Sequence, residues 1–113
     1  MKQYRCFALD LIDGDAAIAE YERLHKPGAV WPEVVTDLRQ RGYRQLSIWR
    51  TANRLFMIAD IGEPGPVATD SAASNDRLQQ WDQLTKTLQH ALPGNDPTPH
   101  WTEMRCIFDL CDH

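Results

Sequence analysis

Apolar and polar positions alternate with a period of two from Gln3 to Leu11, setting Tyr4, Cys6, Ala8 and Asp10 on one side and Arg5, Phe7, Leu9 and Leu11 on the other. This pattern predicts a strand whose two faces are used differently. The period then changes. Asp13-Gly14-Asp15 supplies turn and cap chemistry, and Ile18, Tyr21, Leu24 and His25 recur at helical spacing over Ala16 to His25. Lys26-Pro27-Gly28 stops this helix, because proline lacks a donor and disfavours helix in the residue before it. Trp31-Pro32-Glu33 starts another, with Pro32 suited to the first helical position and Glu33 favourable beside the positive helix end. Val34, Val35 and Leu38 give that helix one apolar stripe as far as Arg41, and Gly42 ends it.

Two strand-like runs follow, Arg44 to Arg50 and Arg54 to Ile61, joined by a hairpin turn through Thr51-Ala52-Asn53-Arg54. Gly62 to Ala73 contains Pro64, Gly65 and Pro66 and predicts a surface connection with room for a short helical turn. Leu78, Trp81, Leu84, Leu88 and Leu92 form a stripe that predicts a long helix from Asn75 to Leu92, and Pro93 to Pro99 reads as a loop. Trp101 to Leu110 returns to alternation and is expected to close the sheet. This order predicts an α+β, ferredoxin-like (β-α-β-β-α-β) antiparallel sheet with its helices on one face. Because both faces of the strands carry apolar or aromatic residues, the uncovered face is expected to be buried by face-to-face homodimerisation.

At 113 residues a single domain spanning 1–113 is expected. Sixteen acidic against twelve basic residues, with no Lys/Arg run, argue against a nucleic-acid or anionic-membrane partner, which needs a clustered basic face. No apolar stretch approaches the roughly 20 residues of a membrane span, and Met1-Lys2-Gln3 leads directly into a strand pattern rather than a signal peptide. A cytoplasmic protein is the expectation. Cys6, Cys106 and Cys111 are odd in number and lack zinc-site spacing; Cys6 and Cys106 lie in strand-like runs and read as small buried residues of a reduced protein.

The sequence lacks a Gly-rich phosphate loop, a nucleophile elbow and a metal-spaced cluster, so no cofactor and no metal are expected. What remains is a corner. Tyr21 and His25 stand four residues apart on one helical face, and Trp31 follows across the tight turn. Imidazole titrates near about pH 6.5 and can both give and take a proton. Aromatic faces pack on the C–H face of a sugar, and carboxylates bind its hydroxyls. The inventory suits proton transfer on a bound neutral molecule of sugar size.

The Tyr21-x-x-x-His25 pair, Trp31-Pro32-Glu33, a Gly-aromatic turn at Gly42-Tyr43, Asn53-Arg54-Leu55-Phe56, and Trp81 ahead of a Leu-Pro-x-Asn turn at Leu92 to Asn95 together resemble the L-rhamnose mutarotase family. The likeness extends from the first strand to Phe108. It implies a dimeric α/β barrel and a sugar mutarotase (aldose 1-epimerase) that interconverts the α and β anomers of a 6-deoxy-L-hexose, L-fucose or L-rhamnose, by general acid/base ring opening. It also implies that His25 is the proton donor and Tyr21 a sugar-binding residue. Trp81 matches the first of two adjacent aromatic substrate residues; the second position here is Asp82, and another substrate tyrosine falls at Leu46, with Trp49 nearby. An intact proton-transfer corner beside an altered wall resembles the L-fucose mutarotase branch of that family.

Other readings fit the same residues. His25 could serve only the negative end of its helix, and Trp81, on a leucine stripe, has the position of a core residue. Trp31 and Trp49 fit a pocket edge or a dimer contact. Asp60 and Glu103 are either inward carboxylates acting as the base or ordinary solvent-facing residues. A cofactor-free monooxygenase of the dimeric ferredoxin-like type and a non-catalytic sugar-binding module are the alternative functions.

Overall fold

The computed structural model describes residues 4–63, 72–94 and 97–113. In chain order it contains β1 (Tyr4–Leu11), α1 (Asp15–Leu24), α2 (Pro32–Gln40), β2 (Tyr43–Thr51), β3 (Arg54–Ile61), α3 (Ala72–Lys86), β4 (Gln89–His90) and β5 (Thr102–Met104), with a 3-10 turn at Leu110–Asp112. All strand pairs are antiparallel. The sheet follows the path β2-β3-β1-β4, and β5 also pairs with β1.

Register decides which side chains share a face, because successive residues of a strand point to opposite sides. Leu9 lies opposite Leu55, Phe7 opposite Met57, and Met57 in turn opposite Ile48. On this face Leu11 and Leu55 are buried with Tyr21 of α1, and Ile18, Ile48, Leu88 and Trp101 pack around them. Leu9, Leu11 and Leu55 are the largest fully buried side chains. The opposite face carries Tyr4, Trp49, Ile58 and Met104, which are 55%, 62%, 37% and 38% exposed. Among the described residues, an apolar strip thus crosses four strands without cover from a helix.

Two elements differ from the sequence-based expectation. The third helix ends at Lys86 instead of Leu92. Threonine hydroxyls compete for helical carbonyls there: Thr85 Oγ1 donates to the carbonyls of Trp81 and Asp82 at 3.0 and 3.1 Å, and Thr87 Oγ1 to that of Leu84 at 2.6 Å. The chain then turns, and Gln89 and His90 pair with Leu11 and Asp10. Leu88 reaches the core from this turn, so its place on the apolar stripe reflected burial and not helix.

The last strand, expected to run from Trp101 to Leu110, forms only over Thr102–Met104. With Met104 opposite Cys6, continuing the register would bring Cys106 to Tyr4, where β1 begins, so the ladder runs out of partner. Ile107, Phe108 and Leu110 are consequently 92%, 66% and 74% exposed. Cys106, expected to be buried, lies beyond the end of β5 and is exposed; Cys6 is partly buried, and all three cysteines are free thiols. Most of the Gly62 to Ala73 connection, Gln3, and Asn95 and Asp96 of the Pro93 to Pro99 loop lie outside the described residues.

Candidate active site

α1 delivers Tyr21 and His25 to one place. Tyr21 is 4% exposed and packs on Leu11 and Leu55, which fixes the face of the helix that looks inward. One turn later the helix has ended, and His25 caps it with φ −106° and ψ 6°. Its Nδ1 donates to the Tyr21 carbonyl oxygen at 2.7 Å. A carbonyl oxygen only accepts, so Nδ1 holds the proton and Nε2 of the neutral ring presents a lone pair.

Aromatic rings bracket that imidazole. Tyr21 stacks on it with centroids 4.3 Å apart and planes at 23°, and Trp81 of α3 meets it edge-on at 5.4 Å and 64°. Burial pushes the His25 pKa below its ordinary value, the hydrogen bond to Tyr21 opposing this in part. Burial also pushes the Tyr21 hydroxyl up to about 12. At neutral pH the pair is a neutral imidazole and a protonated phenol, one accepting and one donating.

The site opens into a cleft of about 960 Å³. Tyr21, His25, Leu46, Trp81 and Asp82, the five residues singled out from the sequence, all line it. Leu46 lies on the helix-facing side of β2 near Ile48, and Ile48 and Met57 add apolar floor. Asp82 is exposed toward the opening and pairs with Lys86 Nζ at 2.9 Å. The sequence reading missed Gln89, His100 and Trp101, which line the same cleft. Only the long-range pairing of β4 and β5 with β1 brings them there, and local periodicity carries no signal of it.

The two candidate carboxylate bases lie elsewhere. Asp60, 3% exposed, accepts from Arg44 at 2.9 Å, and Glu103 is held bidentately by Arg5 at 2.7 and 2.8 Å; neither lines the cleft. Trp49 is also away from it, on the outer sheet face with its Nε1 donating to Ser47 Oγ at 2.8 Å. Trp31 does not line the cleft but meets Trp81 at 5.3 Å and 64°. Among the described residues no group of three or more His, Cys, Asp or Glu side chains is arranged to hold a metal ion, and no helix is long and apolar enough to cross a membrane.

A family model described as L-rhamnose mutarotase matches residues 4–110. An L-fucose mutarotase of Xanthomonas campestris pv. campestris is 44% identical over 112 residues, covering 97% of this chain and 90% of the relative. An L-rhamnose mutarotase of Cronobacter sakazakii is 28% identical over 91 residues, covering 80% and 84%. The crystal structure of an L-rhamnose mutarotase from Formosa agariphila superposes with a TM-score of 0.65 at 21% identity, over 96% of this chain and 98% of that one.

Proposed function

The chain belongs to the L-rhamnose mutarotase family and is a sugar mutarotase, a carbohydrate isomerase; from that premise we propose that it interconverts the anomers of L-fucose, with His25 moving the proton. The observation that carries the reading is the imidazole itself. Its Nδ1 is occupied by the Tyr21 carbonyl, and it stands between two aromatic rings at the wall of a cleft with ample room for a monosaccharide.

Ring opening breaks the bond between the anomeric carbon and the ring oxygen while one proton moves from the anomeric hydroxyl to that ring oxygen. Both oxygens are bonded to the same carbon, so one Nε2 can serve them in turn. Neutral His25 takes the anomeric proton; the imidazolium so formed gives the same proton to the ring oxygen as the ring opens. Rotation about the adjacent C–C bond turns the other carbonyl face toward the chain hydroxyl, and the reverse steps close the opposite anomer. His25 is thereby the donor to the ring oxygen without a separate carboxylate base, in keeping with Asp60 and Glu103 being engaged by arginines. Such proton transfer contributes about 10²–10⁴-fold in rate.

The rest of the cleft fits a 6-deoxy sugar. Trp81 offers a face for the C–H side of the ring, the Tyr21 hydroxyl a hydrogen bond, and Asp82 an acceptor for a hydroxyl near the opening, while Leu46, Ile48 and Met57 suit the terminal methyl. L-Fucose is favoured over L-rhamnose because the 44% identical relative bears the L-fucose name, against 28% for an L-rhamnose enzyme. We further place the protein in the cytoplasm as one ferredoxin-like domain spanning 1–113, paired as a dimeric α/β barrel through its outer apolar strip.

The test is anomer exchange followed by saturation-transfer proton NMR with L-fucose, L-rhamnose and D-glucose in turn. L-Fucose should exchange fastest and D-glucose should show no enhancement. A larger enhancement for L-rhamnose would overturn the substrate assignment, and none for any sugar would overturn the activity.

A further inference from the structure

Four residues, two of them behind the cleft, form a continuous stack that ends on the His25 imidazole. Arg77 lies one helical turn before Trp81 on α3, so both side chains leave the same face of that helix. The Arg77 guanidinium carbon sits 3.7 Å from the centroid of the Trp31 ring, within cation–π range. Trp31 meets Trp81, and Trp81 meets His25, each edge-on at 64° with centroids 5.3 and 5.4 Å apart. Trp31 is the residue that caps α2, and Pro32 begins that helix, so its backbone is held at the point where α2 approaches α3.

A charge locks the far end of the stack. Arg77 Nε lies 3.7 Å from Glu33 Oε1, and Arg77 Nη1 donates to Gln80 Oε1 at 3.4 Å. Glu33 Oε2 is, among the described residues, the one buried side-chain oxygen or nitrogen without a hydrogen-bond partner. Its charge is therefore balanced by Arg77 and by the positive end of α2 rather than by a local donor. An ion pair of this length contributes little to stability by itself. What it does is hold a flat cation against one particular ring.

We infer that Arg77 is a positioning residue for the His25 site: clamped by Glu33, it fixes Trp31, which sets the angle at which Trp81 bounds the imidazole. The inference rests on the mutarotase reading of that site, and neither Arg77 nor Trp31 lines the cleft. Proton transfer is sensitive to displacements of about 1 Å, so loosening this stack lowers turnover more than binding.

The experiment uses the full chain with Arg77→Gln and Arg77→Lys. Lysine keeps a charge beside Glu33 but not the planar face on Trp31. In Arg77→Gln the kcat for L-fucose exchange should fall about three- to tenfold with KM within about twofold, and Arg77→Lys should fall between it and wild type. In both variants the His25 Cε1 proton resonance, assigned by its absence in His25→Gln, should move, because the orientation of the adjacent Trp81 ring, and with it the ring current acting on that proton, has changed. This second readout needs no sugar. If the wild-type chain exchanges no sugar yet the resonance moves, the positioning stands and the function falls. If kcat and the His25 resonance are both unchanged in the two variants, the inference is overturned.

Discussion

At His25 burial and one hydrogen bond together set the proton chemistry. Burial favours the neutral ring, and the Tyr21 carbonyl selects which nitrogen keeps the proton. Because the proposed shuttle starts from neutral His25, exchange should be flat above about pH 7 and should decline on acidification with a midpoint below about 6.5. A pH–rate profile of kcat checks this, and activity that rises as the pH falls through that range would contradict it. The same shift bears on stability. A histidine whose folded pKa is lowered takes up its proton more readily in the unfolded chain, so stability is fully present above about pH 6.5 and is lost as the pH falls toward the folded value. The Tyr21–His25 corner was legible because both residues lie within one helix at a spacing of four. Trp81 was ambiguous because a leucine stripe and a ligand wall share the same periodicity. The contact of Arg77 with Trp31 was not legible, since it exists only once α2 and α3 pack together.

Among the elements, the junction between α2 and β2 carries the tightest constraint. Gly42 has φ +95°, is buried, and accepts from the Gly62 backbone N–H at 2.7 Å. A Cβ there would lie 2.6 Å from the Gly62 carbonyl oxygen and 2.9 Å from that of Glu63, both backbone atoms. Gly42→Ala should therefore cost about 2 kcal/mol or more, read as a lower midpoint in urea unfolding. A loss within about 0.5 kcal/mol would mean that this approach is not tight. The sequence marked Gly42 as a helix terminus but could not show the strand end lying across it. The early stop of α3 has a similar origin. Thr85 and Thr87 bond back to helical carbonyls, and β4 gains a partner in β1, a tertiary pairing that outweighs the apolar stripe reaching Leu92. At the C-terminal end the alternation of Trp101 to Leu110 was real, but a strand needs a neighbour, and β1 has none to offer beyond Tyr4, which would face Cys106.

For the molecule as a whole, the layered arrangement follows from alternation along β1, β2 and β3, and it leaves Tyr4, Trp49, Ile58 and Met104 on the face away from the helices. Replacing Trp49 and Ile58 together by Asp should convert the proposed dimer to a monomer in sedimentation velocity, because charges would then sit at the centre of its interface. A wild-type chain that sediments as a monomer at micromolar concentration would refute the proposed pairing. In the mechanism proposed above, one buried imidazole moves the proton between two oxygens on the anomeric carbon. The most direct measurement is saturation-transfer anomer exchange of L-fucose with wild type and His25→Gln side by side, both checked for folding by circular dichroism. Wild type should enhance exchange, and the variant should lose about 10²-fold or more, glutamine being unable to take up or release the proton. A folded His25→Gln variant that exchanges L-fucose as fast as wild type would contradict it.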